Sequence, residues 1–416
     1  MSEFRFLHAA DVHLDSPLLG LSRYDGIPIA EVRGATRAAF DNLVDRAIAE
    51  AVDFVIIAGD LFDGDWKDMG TGLYFARAMG RLDQAGIPVF LLAGNHDAAS
   101  VLSRTIPWPD NVRSFASRKP ETHLLEQLGV AIHGQSFANA AVVDNLAAAY
   151  PPAIAHIFNI GVLHTALGGR PGHFGYAPCS LDDLRGRGYD YWALGHVHTH
   201  EIVSRDPFVV FPGNVQGRNI REAGPKGAVI VEVADRQVVT VEPIELDVVR
   251  WGRVEVDCTD LSMDTLLGEM RSVMAAAHVE ADGKPLIARL ILTGETGDAG
   301  AIRNSLVTLR DDVRALAAAI SPDLWLEKVV ENLREPKQAP ASVAIGEDFA
   351  SLISTAPDDE ELASLVAQDL APFLDAIRGD LEVGDGDLRM RAEAADWSAL
   401  VRSATDALRP RLEEAG

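Results

Sequence analysis

The stretch Phe4-Arg-Phe-Leu-His-Ala-Ala-Asp-Val-His13 opens on an apolar run and breaks off in a carboxylate and an imidazole spaced two apart. A run of this kind reads as a buried strand, and its abrupt polar end marks the carboxyl edge where open α/β sheets collect ligands. The transition recurs four times. Phe54 to Ala58 ends in Gly59-Asp60-Leu-Phe-Asp63, and Val89 to Ala93 ends in Gly94-Asn95-His96-Asp97. Ile157 to Leu163 ends in His164, and Tyr191 to Leu194 ends in Gly195-His196-Val-His198. Between the first two strands Phe40, Leu43, Val44, Ala47 and Ile48 share one helical face, and a second helical pattern covers about Leu73 to Gln84. Strand alternating with helix predicts a layered α/β fold with much parallel pairing.

Downstream the pattern turns β-rich, with Phe208 to Phe211 and a hairpin of Ala228 to Val233 with Val238 to Val241, completing a first unit over 1–248. A second unit, 249–335, reads as strand (Val254 to Cys258), helix (Met263 to Ala277), strand (Leu286 to Thr293), helix (Ala301 to Ala319) and strand (Trp325 to Val330). Residues 336–416 read as a linker and an acidic helical C-terminal tail carrying 7 basic and 17 acidic residues. There Leu362, Leu365, Val366, Leu370, Phe373, Leu374 and Ile377 repeat at helical spacing. That is either a solvated helix pair packed on its own domain or an element that docks a partner.

With 416 residues, 48% hydrophobic and 24% charged, the chain suits a soluble globular protein of two or three domains. No membrane span and no signal peptide are read. Two cysteines far apart, Cys179 and Cys258, suit a reducing, cytoplasmic setting rather than a disulfide framework. The net charge of −25 disfavours a polyanion held by the average field. A nucleic-acid substrate would need that sign reversed locally, by metal ions, an arginine cluster or a basic partner.

Five motifs rich in Asp, Asn and His, without thiolates, suit a pair of first-row divalent ions: Mn²⁺ foremost, with Fe²⁺ or Zn²⁺ as alternatives. Asp11 and His13, like His196 and His198, alternate onto one side of an extended backbone. Two ions about 3.5–4 Å apart need a bridging group, and the Asp60 carboxylate is suited to it. The glycines before Asp60, Asn95 and His196 permit close backbone approach. Arg218 and Arg221, and Arg170 in Gly168-Gly169-Arg170, are candidates for flanking phosphates, though each arginine alone reads first as a surface residue. His8, His123, His133, His156, His173, His200 and His278 read as ordinary structural histidines.

In order, spacing and residue type the five motifs resemble the calcineurin-like metallophosphoesterase superfamily over about residues 4 to 245. The resemblance implies a β-sandwich flanked by helices. It also implies that Asp11, His13, Asp60 and His198 hold one ion, and that Asp60, Asn95, His164 and His196 hold the other. His96 matches the histidine that is not a ligand but assists the leaving group, and Asp63 the carboxylate that pairs with it. Some archaeal and eukaryotic relatives carry histidine in place of Asp63. The flanks Phe6-Leu-His-Ala-Ala-Asp-Val-His-Leu14, Tyr191-Trp-Ala-Leu-Gly-His-Val-His198 and Phe211-Pro-Gly-Asn-Val-Gln-Gly-Arg-Asn-Ile-Arg221 are similar to the SbcD-like DNA repair exonucleases, in their YhaO-like branch. That similarity implies a two-metal phosphodiesterase acting on DNA, as a homodimer. It places a small capping domain at 249–335 and contact of the tail with an SMC-like ATPase. A phosphatase or nucleotide phosphodiesterase for a small substrate, and a non-catalytic scaffold, stand as the alternatives.

Overall fold

The computed structural model describes residues 3–16, 29–63, 69–99, 108–168, 176–259, 261–336, 353–359, 361–368 and 397–413. Two six-stranded sheets form its larger part. In the first, β1 (Glu3–Ala9), β2 (Phe54–Ala58), β3 (Val89–Leu92) and β4 (Val112–Ser114) run parallel in that order. The other edge of β1 pairs antiparallel with β11 (Gly227–Ala234), which returns as β12 (Gln237–Glu245). Helices α1 (Ile29–Ala49) and α2 (Met69–Gln84) are the crossovers from β1 to β2 and from β2 to β3. The second sheet has the order β5 (Glu121–Leu125), β6 (Val130–Gly134), β7 (Phe158–His164), β8 (Tyr191–Gly195), β10 (Phe208–Phe211), β9 (Glu201–Arg205). Its inner four strands are parallel and its two edges antiparallel. Short helices α3 (Asn95–Ala99) and α4 (Leu181–Arg185) follow β3 and precede β8.

Strand side chains alternate between two cores, so both faces of the inner strands are apolar. Phe4, Phe6, Phe54, Ile56 and Phe90 of the first sheet pack with Ile132, Phe158, Ile160, Val162 and Tyr191 of the second. The Phe6 ring stacks on Phe54 at 5.0 Å and meets the edge of Tyr191 at 5.2 Å. One residue along, Leu7, Val55, Ile57, Val89 and Leu91 face Phe40, Leu43, Val44, Phe75, Met79 and Leu82 of the two helices. Burial of such side chains contributes about 1.5–3 kcal/mol each. Two covered faces explain why these strands read as continuous apolar runs rather than alternating ones.

Ile48 departs from its expected place and is 36% exposed. At 3.6 residues per turn it lies about 80° round from Phe40, at the margin of the stripe that Leu43, Val44 and Ala47 complete. Strands β4, β5, β6 and β9 were not anticipated. β5 and β9 are half-exposed edges, and β6 is buried but carries His133, whose ring lies 2.8 Å from Thr122 Oγ1 and 3.1 Å from Asn159 Oδ1.

A third sheet holds β13 (Arg250–Asp257), β14 (Leu286–Thr293) and β15 (Leu324–Glu331), with α5 (Met263–Glu280) and α6 (Ala299–Ile320) between them in sequence. The chain forms two compact units. One comprises Met1–Arg253, Ala277–Arg289 and Ser321–Glu327; the other comprises Val254–Ala276, Leu290–Ile320 and the chain from Lys328 on. In the second, α7 (Trp397–Glu413), within the stretch read as a helical tail, packs on α6. Residues 361–368 are helical with Leu365 55% exposed. Leu370, Phe373, Leu374 and Ile377 lie outside the described residues. No helix among the described residues is long and apolar enough to cross a membrane.

Candidate metal centre

The five motifs begin where β1, β2, β3, β7 and β8 end, and the backbone carries its pairing on into them. Asp11 N donates to Gly59 O and His13 N to Asp60 O, both at 3.0 Å, and Thr165 N donates to Gly195 O at 3.1 Å. A Cβ on Gly59 would strike the His164 ring, and one on Gly195 the carbonyl oxygen of Ala58, so the two sheets can approach here only through glycine. Asp11, His13, Asp60 and His196 have φ of 51°, 46°, 52° and 100°, four of the twelve non-glycine residues with positive φ among the described residues. Each such conformation costs about 1–3 kcal/mol, so backbone strain is concentrated at this spot. Part of it is offset where His196 N donates to both Asp11 oxygens, at 3.1 and 2.9 Å.

Three clusters result: Asp11 with His13 and His198, His13 with Asp60 and His96, and Asp60 with His164 and His196. In each, one potential ligand atom per residue lies within 4.8 Å of the others. His13 Nε2 faces His198 Nε2 at 3.4 Å and Asp60 Oδ2 at 4.0 Å. His198 Nε2 is 3.7 Å from Asp11 Oδ1. His164 Nε2 lies 3.4 Å from Asp60 Oδ2 and 3.0 Å from Asn95 Oδ1. All seven candidate ligands therefore meet in one place, six of them buried and His198 half-buried. Imidazole nitrogens turned toward each other around two buried carboxylates leave electron pairs facing a common centre. Oxygen and nitrogen donors without sulfur fit divalent ions there.

Burial opposes the charge on Asp60, but His164, bonded to it, with His13 and His96 outweighs burial and holds the carboxyl well below its usual range. Against its own burial, His164 is lifted by Asp60 to about 9. Burial, with Arg218 adding to it, drives His13 down to about 3. His164 thus holds a proton in the ion-free protein at neutral pH and must release it to ligate. Loading with Mn²⁺ at pH 7.5 is expected to release about one proton, and affinity to climb with pH toward 9. Calorimetric titration in buffers of different ionisation enthalpy reads this; heats independent of the buffer would show that His164 carries no proton to release in the ion-free protein.

Beside these clusters stands a pair that reaches solvent. The His96 side chain is 39% exposed, and its Nδ1 lies 2.8 Å from Asp63 Oδ1. Ser16 Oγ donates to the other oxygen of Asp63 at 2.6 Å. The bond to Asp63 raises the His96 pKa. Burial opposes the charge on Asp63, but His13 and His96 keep it well below the carboxylate range. His96 also falls within one potential ligand cluster, though its Nδ1 is engaged by Asp63.

Two carboxylates went unassigned in the sequence. Asp97 accepts from the backbone N–H of Leu61 (3.1 Å), Phe62 (2.8 Å) and Gly94 (3.0 Å), tying the second motif to the third. Burial, with Asp60 nearby, raises it to about 6. Glu222 sits on the short 3-10 turn Ile220–Glu222, with Oε1 2.8 Å from His198 Nδ1. Its one sequence signal is the four-residue spacing from Arg218. Arg218 is not a surface arginine: its side chain is 15% exposed, with Nη2 2.7 Å from Glu222 and Nη1 3.8 Å from Asp63. Arg221, on the same turn, is exposed. Arg170 and His173 lie outside the described residues. His8 is a core residue as read, buried with its ring 3.0 Å from the Tyr191 hydroxyl and 3.2 Å from Leu194 O.

Comparison with known proteins bears on this arrangement. Residues 4–200 match the calcineurin-like phosphoesterase family, and residues 251–334 match the family described as the middle domain of metallophosphoesterase YhaO. The chain is 36% identical over 298 residues to the "Uncharacterized metallophosphoesterase YhaO" of Bacillus subtilis (strain 168), covering 71% of this chain and 72% of that one. It is 25% identical over 317 residues to the "DNA double-strand break repair protein Mre11" of Sulfurisphaera tokodaii, covering 71% and 75%. Better than one residue in three is shared with the Bacillus protein over more than two thirds of both chains. The chain therefore belongs to the calcineurin-like metallophosphoesterases, whose members work with a dinuclear metal centre, and carries a YhaO-type middle domain.

Proposed function

We propose that this metallophosphoesterase is a two-metal phosphodiesterase that cleaves DNA in repair, with Mn²⁺ as its ion. The observation that carries the reading is a solvent-reaching imidazole, His96, held by Asp63 at the exposed edge of three joined clusters of metal-competent side chains. Asp11, His13, Asp60 and His198 would hold one ion, and Asp60, Asn95, His164 and His196 the other. Bound there, divalent ions neutralise phosphoryl oxygens and make water acidic enough to attack near neutral pH. Asp63 orients His96 through Nδ1, and His96 gives its proton to the departing sugar oxygen or steadies charge on the phosphoryl group. Arg218 is largely buried and Arg221 exposed, so Arg221 is the one of the two that a flanking phosphate can reach. The Sulfurisphaera relative, by its name a DNA double-strand break repair protein, supports DNA as the substrate. With a net charge of −25, the ions supply the positive charge that the chain as a whole lacks.

The test is Mn²⁺-dependent hydrolysis of bis-p-nitrophenyl phosphate and p-nitrophenyl phosphate, together with end-labelled linear and closed circular DNA. Diester cleavage with ladders growing from DNA ends is expected. Preference for the monoester would replace this reading with a small-substrate phosphatase, and no hydrolysis of any of them with a non-catalytic scaffold.

The same reading assigns the partners: a homodimer, with 249–335 as a capping domain and the acidic tail as the contact for an SMC-like ATPase. All candidate ligands belong to the first compact unit and the tail to the second. Truncation at about residue 340 is therefore expected to leave Mn²⁺-dependent diester hydrolysis within about twofold of the full chain. Loss of activity in a truncated protein with unchanged near-UV circular dichroism would place the tail in the chemistry instead.

A further inference from the structure

We propose that Glu222 is the positioning residue of the centre: its carboxylate fixes the ring of His198 so that Nε2 is presented to the ion shared with Asp11 and His13, and Arg218 holds that carboxylate in place. The inference rests on the two-metal reading above. It assigns a role to residues outside the ligand set.

The geometry leaves the carboxylate little freedom. Glu222 Oε1 faces His198 Nδ1 at 2.8 Å and Arg218 Nη2 at 2.7 Å. Glu222 Oε2 accepts from the backbone N–H of Arg218 at 2.8 Å and from Asn214 Nδ2 at 3.0 Å. Every neighbour on this list other than the imidazole is a donor, and an ionised carboxylate only accepts. Arg218 Nη2 also lies 3.4 Å from Nδ1, but the carboxylate oxygen at 2.8 Å is much the nearer, and an unprotonated Nδ1 would set its electron pair against it, so Nδ1 carries the hydrogen. In a neutral ring the electron pair then belongs to Nε2, which points at Asp11 Oδ1 (3.7 Å) and His13 Nε2 (3.4 Å). Lys226 Nζ donates to the backbone carbonyl of His198 at 2.9 Å, fixing the main chain from the other side. The Asn214 side chain is fully buried and the Glu222 side chain 8% exposed, so water cannot readily substitute for these bonds.

Arg218 gives the pair a second reach. Its Nε and Nη2 serve Glu222, while Nη1 comes within 3.8 Å of Asp63 Oδ2, the carboxylate that orients His96. One guanidinium thus lies between the anchor of a candidate ligand and the anchor of the candidate acid. A carboxylate bonded to the far nitrogen of a ligating histidine fixes its tautomer and raises its basicity, and losing such a partner costs 10–100-fold in metal affinity as a rule.

The test uses the full chain. Nitrogen-15 histidine spectra of the ion-free wild-type protein are expected to show His198 protonated at Nδ1. His198 bare at Nδ1 and protonated at Nε2 would overturn the proposal without any variant. In Glu222→Leu, paired with Arg218→Met so that the Arg218 guanidinium is not left without its carboxylate, the Nδ1 proton is expected to be lost from the major form. Mn²⁺ titration of that variant, by calorimetry and electron paramagnetic resonance, should show one of two sites weakened about 10–100-fold and the other unchanged. Glu222→Asp should recover part of the loss. Equal affinities in wild type and variant, or equal weakening of both sites, would sink the assignment. Wild-type protein that binds no pair of ions would instead defeat the two-metal reading, while the ion-free spectrum still reports on Glu222, so the two failures separate.

Discussion

Asp60→Asn is expected to lose at least one of two equivalents of Mn²⁺ and to lower kcat/KM for diester hydrolysis by about 10³-fold or more, because several kcal/mol of charge stabilisation leave with the ion. Asp60 is 1% exposed and is shared by two of the three clusters, with His13 and His96 on one side and His164 and His196 on the other. A carboxylate offers each ion an anionic oxygen; an asparagine offers one neutral oxygen and a donor. The fold should survive. Asp60 Oδ1 accepts from the backbone N–H of His96 at 3.0 Å, a bond the amide oxygen can keep. The same substitution removes the charge that lifts His164 to about 9, so its pKa should fall and the proton released on loading should disappear. Metal analysis of the folded variant decides the matter: two full equivalents would remove Asp60 from the bridging position.

His96→Asn is expected to keep both ions and to lose about 10²–10⁴-fold in rate, the usual cost of a positioned general acid. Its side chain is the one in these clusters that is substantially exposed, and its Nδ1 is occupied by Asp63, leaving Nε2 for the departing oxygen. Asp63→Asn should be milder. The bond from Asp63 raises the His96 pKa, so the acid stays protonated to higher pH when Asp63 is present. Without it the proton is lost sooner, and the basic limb of the pH–rate profile should move to lower pH. A diester with a good leaving group needs less protonation, so the His96→Asn defect should shrink with leaving-group pKa. An equal defect for good and poor leaving groups would reduce His96 to a phosphate-binding residue.

Apart from β6, the inner strands of both large sheets were legible because each is covered on two faces. Phe54 to Ala58 and Phe208 to Phe211 are observed with the read boundaries, and β1, β3, β7 and β8 begin and end within a residue of them. The candidate ligands were legible for a related reason: each follows a strand end directly, so the break from apolar to polar flags it in the local sequence. That much the sequence determined by itself. The edge strands β5 and β9 gave no such signal, since a half-exposed edge tolerates the composition of a loop.

Only the tertiary structure decided which partners serve the centre. Glu222 meets His198 from 24 residues away with nothing in the sequence to join them, whereas the meetings of Asp63 with His96 and of Asp60 with His164 were already implied by the family resemblance. Arg218 read as a surface arginine and is instead held between Glu222 and Asp63. The left-handed backbone at Asp11, His13, Asp60 and His196 was equally unread, since aspartate and histidine adopt positive φ more readily than most residues but their identity does not mark which of them do. Period and composition report how a residue meets its own strand or helix. A buried carboxylate with its donors, and a strained turn with the bonds that offset it, exist only once two sheets have brought distant strand ends together.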